Sequence, residues 1–304
     1  MYDIVIVGSG PAGLTAALYA RRAEKSVLVI EKSTFGGQIT HSPRVENYPG
    51  FIAVSGNEFA DKLLEQVISQ GAEIELDAVK EVKGVPGNYT VVTENSEFLA
   101  KSVIIASGSK HRTLNLTNEE LYTGEGISYC AVCDGAFYKG KTVAIIGGGN
   151  TALQEACLLS DGCEKVYVIQ NLAYMTGEGN LVKRLEQKEN VEFIFSTVVT
   201  DILADGVFKG IRTVNTESGE EKELLLDGIF VAIGQMPENE PFKNIVNLNE
   251  YGYIASGEDC VPKNAPEGIF VAGDCRTKSI RQVTTATADG AVAALAACRF
   301  IDTL

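Results

Sequence analysis

The sequence predicts an α/β fold built on two Rossmann-like units. Three observations carry this reading. A β-branched apolar run, a glycine-rich turn and a helical stretch open the chain within residues 2–22, and the same succession recurs at residues 141–160, about 140 residues later. The apolar runs are continuous rather than alternating, the pattern of parallel strands covered on both faces. Each unit is followed by short alternating segments, residues 72–105 and 191–234, that read as a small β-meander.

Residues 2–7 form the first strand, Gly8-Ser9-Gly10-Pro11-Ala12-Gly13 the turn, residues 14–22 the helix, and Val27-Leu28-Val29-Ile30 the second strand, which ends at Glu31. Such glycines give a tight turn, a close approach to a pyrophosphate and close helix–strand contact. The helix N-terminus meets the phosphate charge, and Glu31 can accept hydrogen bonds from a ribose. A lone glycine pattern is a weak signal. With a strand before it, a helix after it and an acid about 20 residues on, it reads as a dinucleotide site and not as a plain turn.

Phe35-Gly36-Gly37-Gln38 and residues 45–51 read as loops, and residues 58–70 as an amphipathic helix. The strand over residues 102–108 ends in Ala106-Ser107-Gly108, small enough to pass close to a cofactor. In the second unit a strand at residues 141–146 runs into Gly147-Gly148-Gly149-Asn150-Thr151-Ala152, then a helix over 153–160 and a strand over 166–169. Residues 228–234 form a further strand, and Gln235-Met236-Pro237 a crossover. A last strand ends in Gly273-Asp274, before an alanine-rich helix over residues 284–300.

At 304 residues the chain has room for two full cores. Its net charge of −14 excludes nucleic acid and an anionic membrane surface as partners, since both need a basic footprint. No run of 18 or more apolar residues occurs. The N-terminus enters a strand at once without a basic leader, which predicts no signal peptide. Seven cysteines, an odd number and mostly dispersed, fit a reducing cytoplasm with one functional pair.

That pair is Cys130-Ala131-Val132-Cys133, followed directly by Asp134 and Gly135. Two thiols at this spacing close an exchangeable disulfide: one thiol is activated, and the other is near enough to resolve a mixed disulfide. The competing reading is half of a metal site. Cys157, Cys163, His41 and His111 are the remaining ligand types in reach of that idea, and their spacing matches no metal motif, so no metal is expected. Cys260, Cys275 and Cys298 read as buried thiols.

Taken in order, Gly8 to Gly13, Gly36-Gly37-Gln38, Glu46-Asn47-Tyr48-Pro49-Gly50, the Cys130–Cys133 pair, Gly147 to Ala152, Gly273-Asp274 and Arg281-Gln282-Val283-Thr284-Thr285-Ala286 resemble the low-molecular-weight thioredoxin reductase family over the whole chain. The resemblance implies two three-layer ββα dinucleotide-binding domains, the second inserted into the first. An FAD domain would take residues 1–115 and 240–304, and a NAD(P)-type domain carrying the dithiol would take residues 116–239. It implies a homodimer that passes electrons from FAD to thioredoxin. The cofactor-binding residues it implies are Gly8, Gly10, Pro11, Ala12, Gly13, Glu31, Gly37, Gln38, Asn47, Ala106, Gly108, Gly273, Asp274, Arg281, Gln282 and Val283. Cys130 would attack the external disulfide, Cys133 would face the flavin, and Asp134 would be the acid/base.

One stretch departs from that family. Members that use NADPH carry a His-Arg-Arg run after the second unit's outer strand. Here the strand runs into Gln170-Asn171-Leu172-Ala173-Tyr174-Met175-Thr176-Gly177-Glu178, with no Lys or Arg between Lys165 and Lys183. A 2′-phosphate has no cation to meet, and Gln170 stands where an acid would hold a 2′-hydroxyl. The chain is therefore similar to ferredoxin-dependent flavin thioredoxin reductases. Three alternatives stand beside this one: an NADH- or NADPH-dependent reductase with an altered clamp, a dithiol oxidase that passes electrons to oxygen, and a flavin-bearing redox sensor. The intact Cys-x-x-Cys-Asp speaks against the sensor. Ferredoxins are usually acidic, so docking on this acidic chain calls for a local basic patch, for which Arg21, Arg22, Lys25, Lys110 and Arg112 are the candidates.

Overall fold

A computed structural model describes residues 1–42 and 44–304. The chain folds into two compact units, Met1–Lys110 together with Met236–Leu304, and His111–Gln235.

The first unit opens with β1 (Tyr2–Val7), α1 (Pro11–Arg22) and β2 (Val27–Glu31). Pro11 suits the first helical position because its missing N–H would be unpaired there anyway. The helix is therefore longer at its start than the apolar pattern alone suggests. Helix α2 (Gly56–Ser69) is capped by Ser55, whose hydroxyl accepts the Glu58 N–H at 3.1 Å. Strands β3 (Glu73–Leu76), β4 (Val79–Val85), β5 (Asn88–Thr93) and β6 (Glu97–Ile105) follow. The expected meander over residues 72–105 is only partly what forms. β4, β5 and the start of β6 are antiparallel, whereas β3 pairs in parallel with β2 at the sheet edge. Alternation along a short strand reports its exposed face, not its neighbour.

The chain then crosses through β7 (Ser109–His111) into the second unit. That unit holds β8 (Ile127–Ser128), α3 (Ala131–Asp134), β9 (Thr142–Ile146), α4 (Asn150–Ser160), β10 (Lys165–Ile169) and α5 (Gly179–Glu186). Strands β11 (Val191–Ile194), β12 (Thr197–Ala204), β13 (Phe208–Asn215), β14 (Glu221–Leu225) and β15 (Gly228–Val231) complete it. Its parallel sheet has the order β11-β10-β9-β15-β8, and β12-β13-β14 form a separate antiparallel sheet. The expected meander at 191–234 is thus confined to β12–β14, with β11 and β15 drawn into the parallel sheet. The chain returns through β16 (Gln235–Pro237), which pairs with β7. It ends with β17 (Ile269–Val271), parallel to β6, and α6 (Val283–Ile301).

Both units have three layers for the same reason. In β1, Ile4 and Ile6 pack toward α1 and α6, while Val5 and Val7 pack toward the meander side. In β9, Val143 and Ile145 pack toward α4, while Ala144 and Ile146 pack toward β13. A strand apolar on both faces has to be covered on both. The alanines of α6, Ala286, Ala293, Ala294 and Ala297, are buried with those of α1. Small side chains let the two helices approach so closely that a Cβ on Gly290 would overlap Ala12 O.

One buried ionic cluster holds the returning segment. The Asp289 carboxylate on α6 accepts Arg276 Nη2 at 2.7 Å, Arg276 Nε at 2.9 Å, Lys278 Nζ at 2.9 Å and Gly273 N at 3.0 Å. Burial alone would raise this acid, but Arg276 and Lys278 override it and hold the carboxyl below its usual range. An acid so depressed stabilises the fold above its unfolded pKa of about 4, and that contribution is lost as pH falls below it. We expect Asp289→Asn to cost about 3–5 kcal/mol, because it leaves the buried Arg276 without its carboxylate and Lys278 with only the more distant Asp274. Thermal melts should show that loss at neutral pH and a weaker dependence on acid below about pH 4 than in the parent chain.

Candidate active site

The glycine turns of both units are built alike. Gly8 adopts φ +105°, and a Cβ there would overlap Ala106 O. Gly147 adopts φ +134°, and a Cβ there would stand 2.5 Å from Ala232 O. In the first unit Gly13 sits so close to Gly8 O that any side chain would overlap it, while the second unit has Ala152 at that place. Beyond Gly10 the space is open, with Gly36 O 4.0 Å from a notional Cβ, and at Gly108 (φ +70°) it is open too.

The two segments of the first unit converge on this turn. Gly37 packs on Gly10, and Gly273 (φ +80°) on Ala12. Asn47 Nδ2 donates to Gln282 Oε1 at 3.1 Å, and Gln282 caps α6 through Thr285. Pro11 begins α1, and Gln38 lies exposed in the single turn Gly37–His41. Val283 turns its side chain into the apolar cluster of Val45, Val54 and Phe59, so only its backbone remains for a ligand. Glu31 is already engaged: Oε2 accepts Ser9 N and Ser9 Oγ at 2.9 Å, and Oε1 accepts Lys32 N at 2.9 Å and Ser33 N at 3.1 Å. It braces the turn as well as offering its remaining lone pairs outward.

Two groups here keep an atom without a hydrogen bond. The Asp274 side chain is 32% exposed, yet its Oδ1 is shielded from solvent and accepts no hydrogen bond, with only Lys278 Nζ near it as an ionic partner at 3.9 Å. Burial raises this carboxyl, against the pull of Lys278 and Arg281. Arg281 stacks on Tyr253 at 4.3 Å, and its Nε is buried and unpaired. An unmet acceptor, an unmet donor and an open glycine turn at a helix start suit a ligand with hydroxyls and phosphates. FAD has both, so the residues present fit it.

In the second unit Cys130 and Cys133 form a disulfide, with Cα atoms 5.3 Å apart. Cys130 caps α3, and its sulfur accepts Cys133 N at 3.2 Å. That contact favours negative charge on Cys130 rather than on Cys133. Ser128 Oγ accepts Cys130 N at 3.1 Å and donates to Asp134 Oδ2 at 2.6 Å. Asp134 Oδ1 is buried without a partner, and burial raises the Asp134 carboxyl although Ser128 pulls it down. Cys157, Cys163, Cys260, Cys275 and Cys298 are buried free thiols. Among the described residues, no group of three or more His, Cys, Asp or Glu gathers at metal-ligand range, and no helix is long and apolar enough to cross a membrane.

Glu155 was not among the residues singled out from the sequence. It lies on α4, and its Oε2 is buried without a hydrogen-bond partner. Burial pushes its carboxyl up to about 7, with the Asp134 charge adding to the effect. A helical projection of α4 contains the signal, since Ala152 and Leu159, neighbours one turn away on either side, are both buried.

The segment after β10 closes over the second turn. Gln170 occupies the position that Glu31 has in the first unit, and a Cβ on Gly148 would overlap its amide. Its Oε1 accepts Asn171 N at 3.1 Å. Thr176 N and Gly177 N both donate to Gly148 O, at 2.8 and 2.9 Å. At the start of α4, Asn150 Oδ1 accepts Glu178 N at 2.7 Å, and Asn150 Nδ2 lies 3.4 Å from Glu178 Oε1. The candidate basic residues are dispersed into local contacts. Arg21 donates to Gln70 O and Lys25 O, Lys25 pairs with Asp302, and Lys110 pairs with Glu238.

Residues 2–290 match the family model described as pyridine nucleotide-disulphide oxidoreductase. The chain is 40% identical to a thioredoxin reductase of Bacillus subtilis over 307 residues, covering 100% of this chain and 96% of that protein. The crystal structure of a thioredoxin reductase from Streptococcus pyogenes superimposes with a TM-score of 0.95 at 35% identity, covering 100% and 99% of the two chains. A ferredoxin–flavin thioredoxin reductase from Clostridium acetobutylicum matches with a TM-score of 0.54 at 30% identity, covering 100% and 99%. Thioredoxin reductases of this family bind FAD. The shared chain length, paired glycine turns and Cys-x-x-Cys disulfide lead to one conclusion: the chain belongs to the pyridine nucleotide-disulphide oxidoreductase family, in its low-molecular-weight thioredoxin reductase group.

Proposed function

We propose that this chain reduces the disulfide of a thioredoxin and that its electrons come from a ferredoxin, not from a nicotinamide nucleotide. The observation that carries the choice of donor is the closed segment at residues 170–178. A neutral amide lies against Gly148, no Lys or Arg occurs from Glu164 to Val182 apart from Lys165, and a carboxylate, Glu178, stands beside the start of α4. That helix start is where a pyrophosphate would be received, and a neighbouring carboxylate repels it. The likeness to the Clostridium acetobutylicum protein supports the same reading. The second reading, a nicotinamide donor, is favoured by the family description and by the retained strand–turn–helix of β9 and α4.

On this reading, residues 1–115 and 240–304 hold FAD and residues 116–239 carry the dithiol. Asp274 and Arg281 supply an acceptor and a donor to the ribityl and phosphate groups, beside Gly8, Gly10, Gly13 and Gly108. FAD, when bound, supplies the electron pair that opens the Cys130–Cys133 disulfide. Cys130, whose sulfur accepts the Cys133 N–H, attacks the thioredoxin disulfide as a thiolate. Asp134, buried and hydrogen-bonded to Ser128, protonates the first leaving sulfur. Cys133 then displaces Cys130's partner and re-forms the disulfide. A homodimer in a reducing cytoplasm completes the reading, the latter supported by the five buried free thiols.

Anaerobic visible spectroscopy tests the donor. Reduced ferredoxin should bleach the flavin, and oxidised thioredoxin should restore it. Bleaching within seconds by NADH or NADPH at micromolar levels would sink the ferredoxin reading. Bleaching only by a small dithiol, with recovery in air, would instead identify a dithiol oxidase. Cys133→Ser should keep the flavin spectrum and abolish thioredoxin reduction; turnover in that variant would remove Cys133 from the path. Asp134→Asn should slow the exchange with thioredoxin roughly 100-fold, the scale of a lost general acid.

A further inference from the structure

Ser128, buried on β8, joins two parts of the dithiol turn. Its hydroxyl oxygen accepts the Cys130 N–H at 3.1 Å, and the same oxygen lies 2.6 Å from Asp134 Oδ2. A serine has a single hydroxyl proton to give. Two acceptors compete for it, Asp134 Oδ2 at 2.6 Å and Cys130 O at 3.4 Å, and the shorter contact to a carboxylate is the stronger. Asp134 is also tied to Cys130 through the backbone, its N–H donating to Cys130 O at 3.0 Å. Cys130 is therefore held at both its N–H and its carbonyl by contacts that end at Asp134. None of them runs through the sulfurs, so none depends on the Cys130–Cys133 bond. The other carboxylate oxygen, Asp134 Oδ1, is shielded from solvent and has no hydrogen-bond partner.

We propose that Ser128 is a positioning residue for Asp134: by giving its hydroxyl proton to Oδ2, it reserves Oδ1 as the oxygen that carries the transferable proton. The inference rests on the reading of Asp134 as the acid. A proton on Oδ2 would face the Ser128 proton and force the hydroxyl round to its longer contact with Cys130 O. A proton on Oδ1 displaces no hydrogen bond. In the reduced chain Cys130 is a thiolate, Cys133 a thiol and Asp134 an acid protonated at Oδ1. Cys130 forms a bond to one sulfur of the substrate disulfide, that disulfide breaks, and the leaving sulfur takes the Oδ1 proton. The Asp134 carboxylate keeps the Ser128 hydroxyl on Oδ2 and becomes the base for the second step. Cys133 gives its proton to Oδ1 as its sulfur bonds to Cys130 and the mixed disulfide breaks. The second substrate sulfur leaves as a thiolate and is protonated by solvent. Ser128 neither gains nor loses a proton. It fixes the direction of the acid and steadies its charged form.

The test is the rate at which thioredoxin reoxidises the full chain, reduced beforehand with dithionite so that the donor is irrelevant, measured against pH. The titratable side chains facing Asp134 are Glu155 on α4 and Tyr138 in the turn after α3, and every variant keeps both. Ser128→Ala removes a hydrogen bond to the charged carboxyl. Its alkaline limb should therefore move up by about one pH unit, while the plateau below it falls about tenfold because the acid is no longer aimed. Ser128→Thr, which keeps the hydroxyl, should restore most of both. In the Asp134→Asn chain, Ser128→Ala should slow exchange by less than about twofold, since no acid is left to aim. A Ser128→Ala profile that superimposes on the parent overturns the proposal, as does a plateau that falls without a shift of the limb. Equal slowing by Ser128→Ala with and without the Asp134 carboxyl overturns it too. If Asp134→Asn slows exchange while Ser128→Ala does not, this inference alone fails. If Asp134→Asn is itself silent, the acid assignment fails with it. Should Ser128→Ala not fold, the parent chain decides. The infrared carbonyl band that Asp134→Asn removes must lie at the lowered frequency of an acid whose carbonyl accepts a hydrogen bond, and a free-carbonyl frequency overturns the proposal.

Discussion

Bare backbone contact at a few glycines is the constraint on which the first unit depends. Helix α1 can start where it does only because Gly13 presents no side chain to Gly8 O, and Gly8 none to Ala106 O. The same economy brings back the far segment of the chain, with Gly273 against Ala12 and Gly290 against the Ala12 carbonyl. Close packing at these points brings Gly273, the residue before Asp274, against the first turn of α1. Asp289 secures the arrangement from below, since one carboxylate receives Arg276, Lys278 and the Gly273 N–H.

The second unit repeats the scaffold and changes its ends. Gly147 meets Ala232 O as Gly8 meets Ala106 O. At the tip of the second strand, however, Glu31 accepts two hydrogen bonds from Ser9, whereas Gln170 lays its amide over Gly148. The duplicated core is set by strand and helix packing, which has no knowledge of ligands. Ligand choice is made by two or three side chains at the strand ends, which the core leaves free to vary.

The dithiol turn concentrates the other unusual electrostatics. An N–H aimed at Cys130, a hydroxyl aimed at Asp134 and two raised acids lie within one short helix and the helix beside it. Burial is the common cause. It removes the water that would otherwise hold Asp134 and Glu155 charged.

Much of this was readable in the residues themselves. The two βαβ units, the dithiol with its aspartate and the missing cations after Ile169 are patterns of neighbours along the chain, and local spacing dictates them. The pairing of β3 with β2, the capture of β11 and β15 by the parallel sheet, and the dispersal of Arg21, Lys25 and Lys110 into local partners were not readable, because each depends on which surface a segment meets after collapse. Glu155 shows the division most clearly. Its position on α4 is a matter of helical period. Its elevated proton affinity arises only when α3 packs over it, because desolvation is a property of everything that surrounds a group and of nothing in its own stretch of sequence.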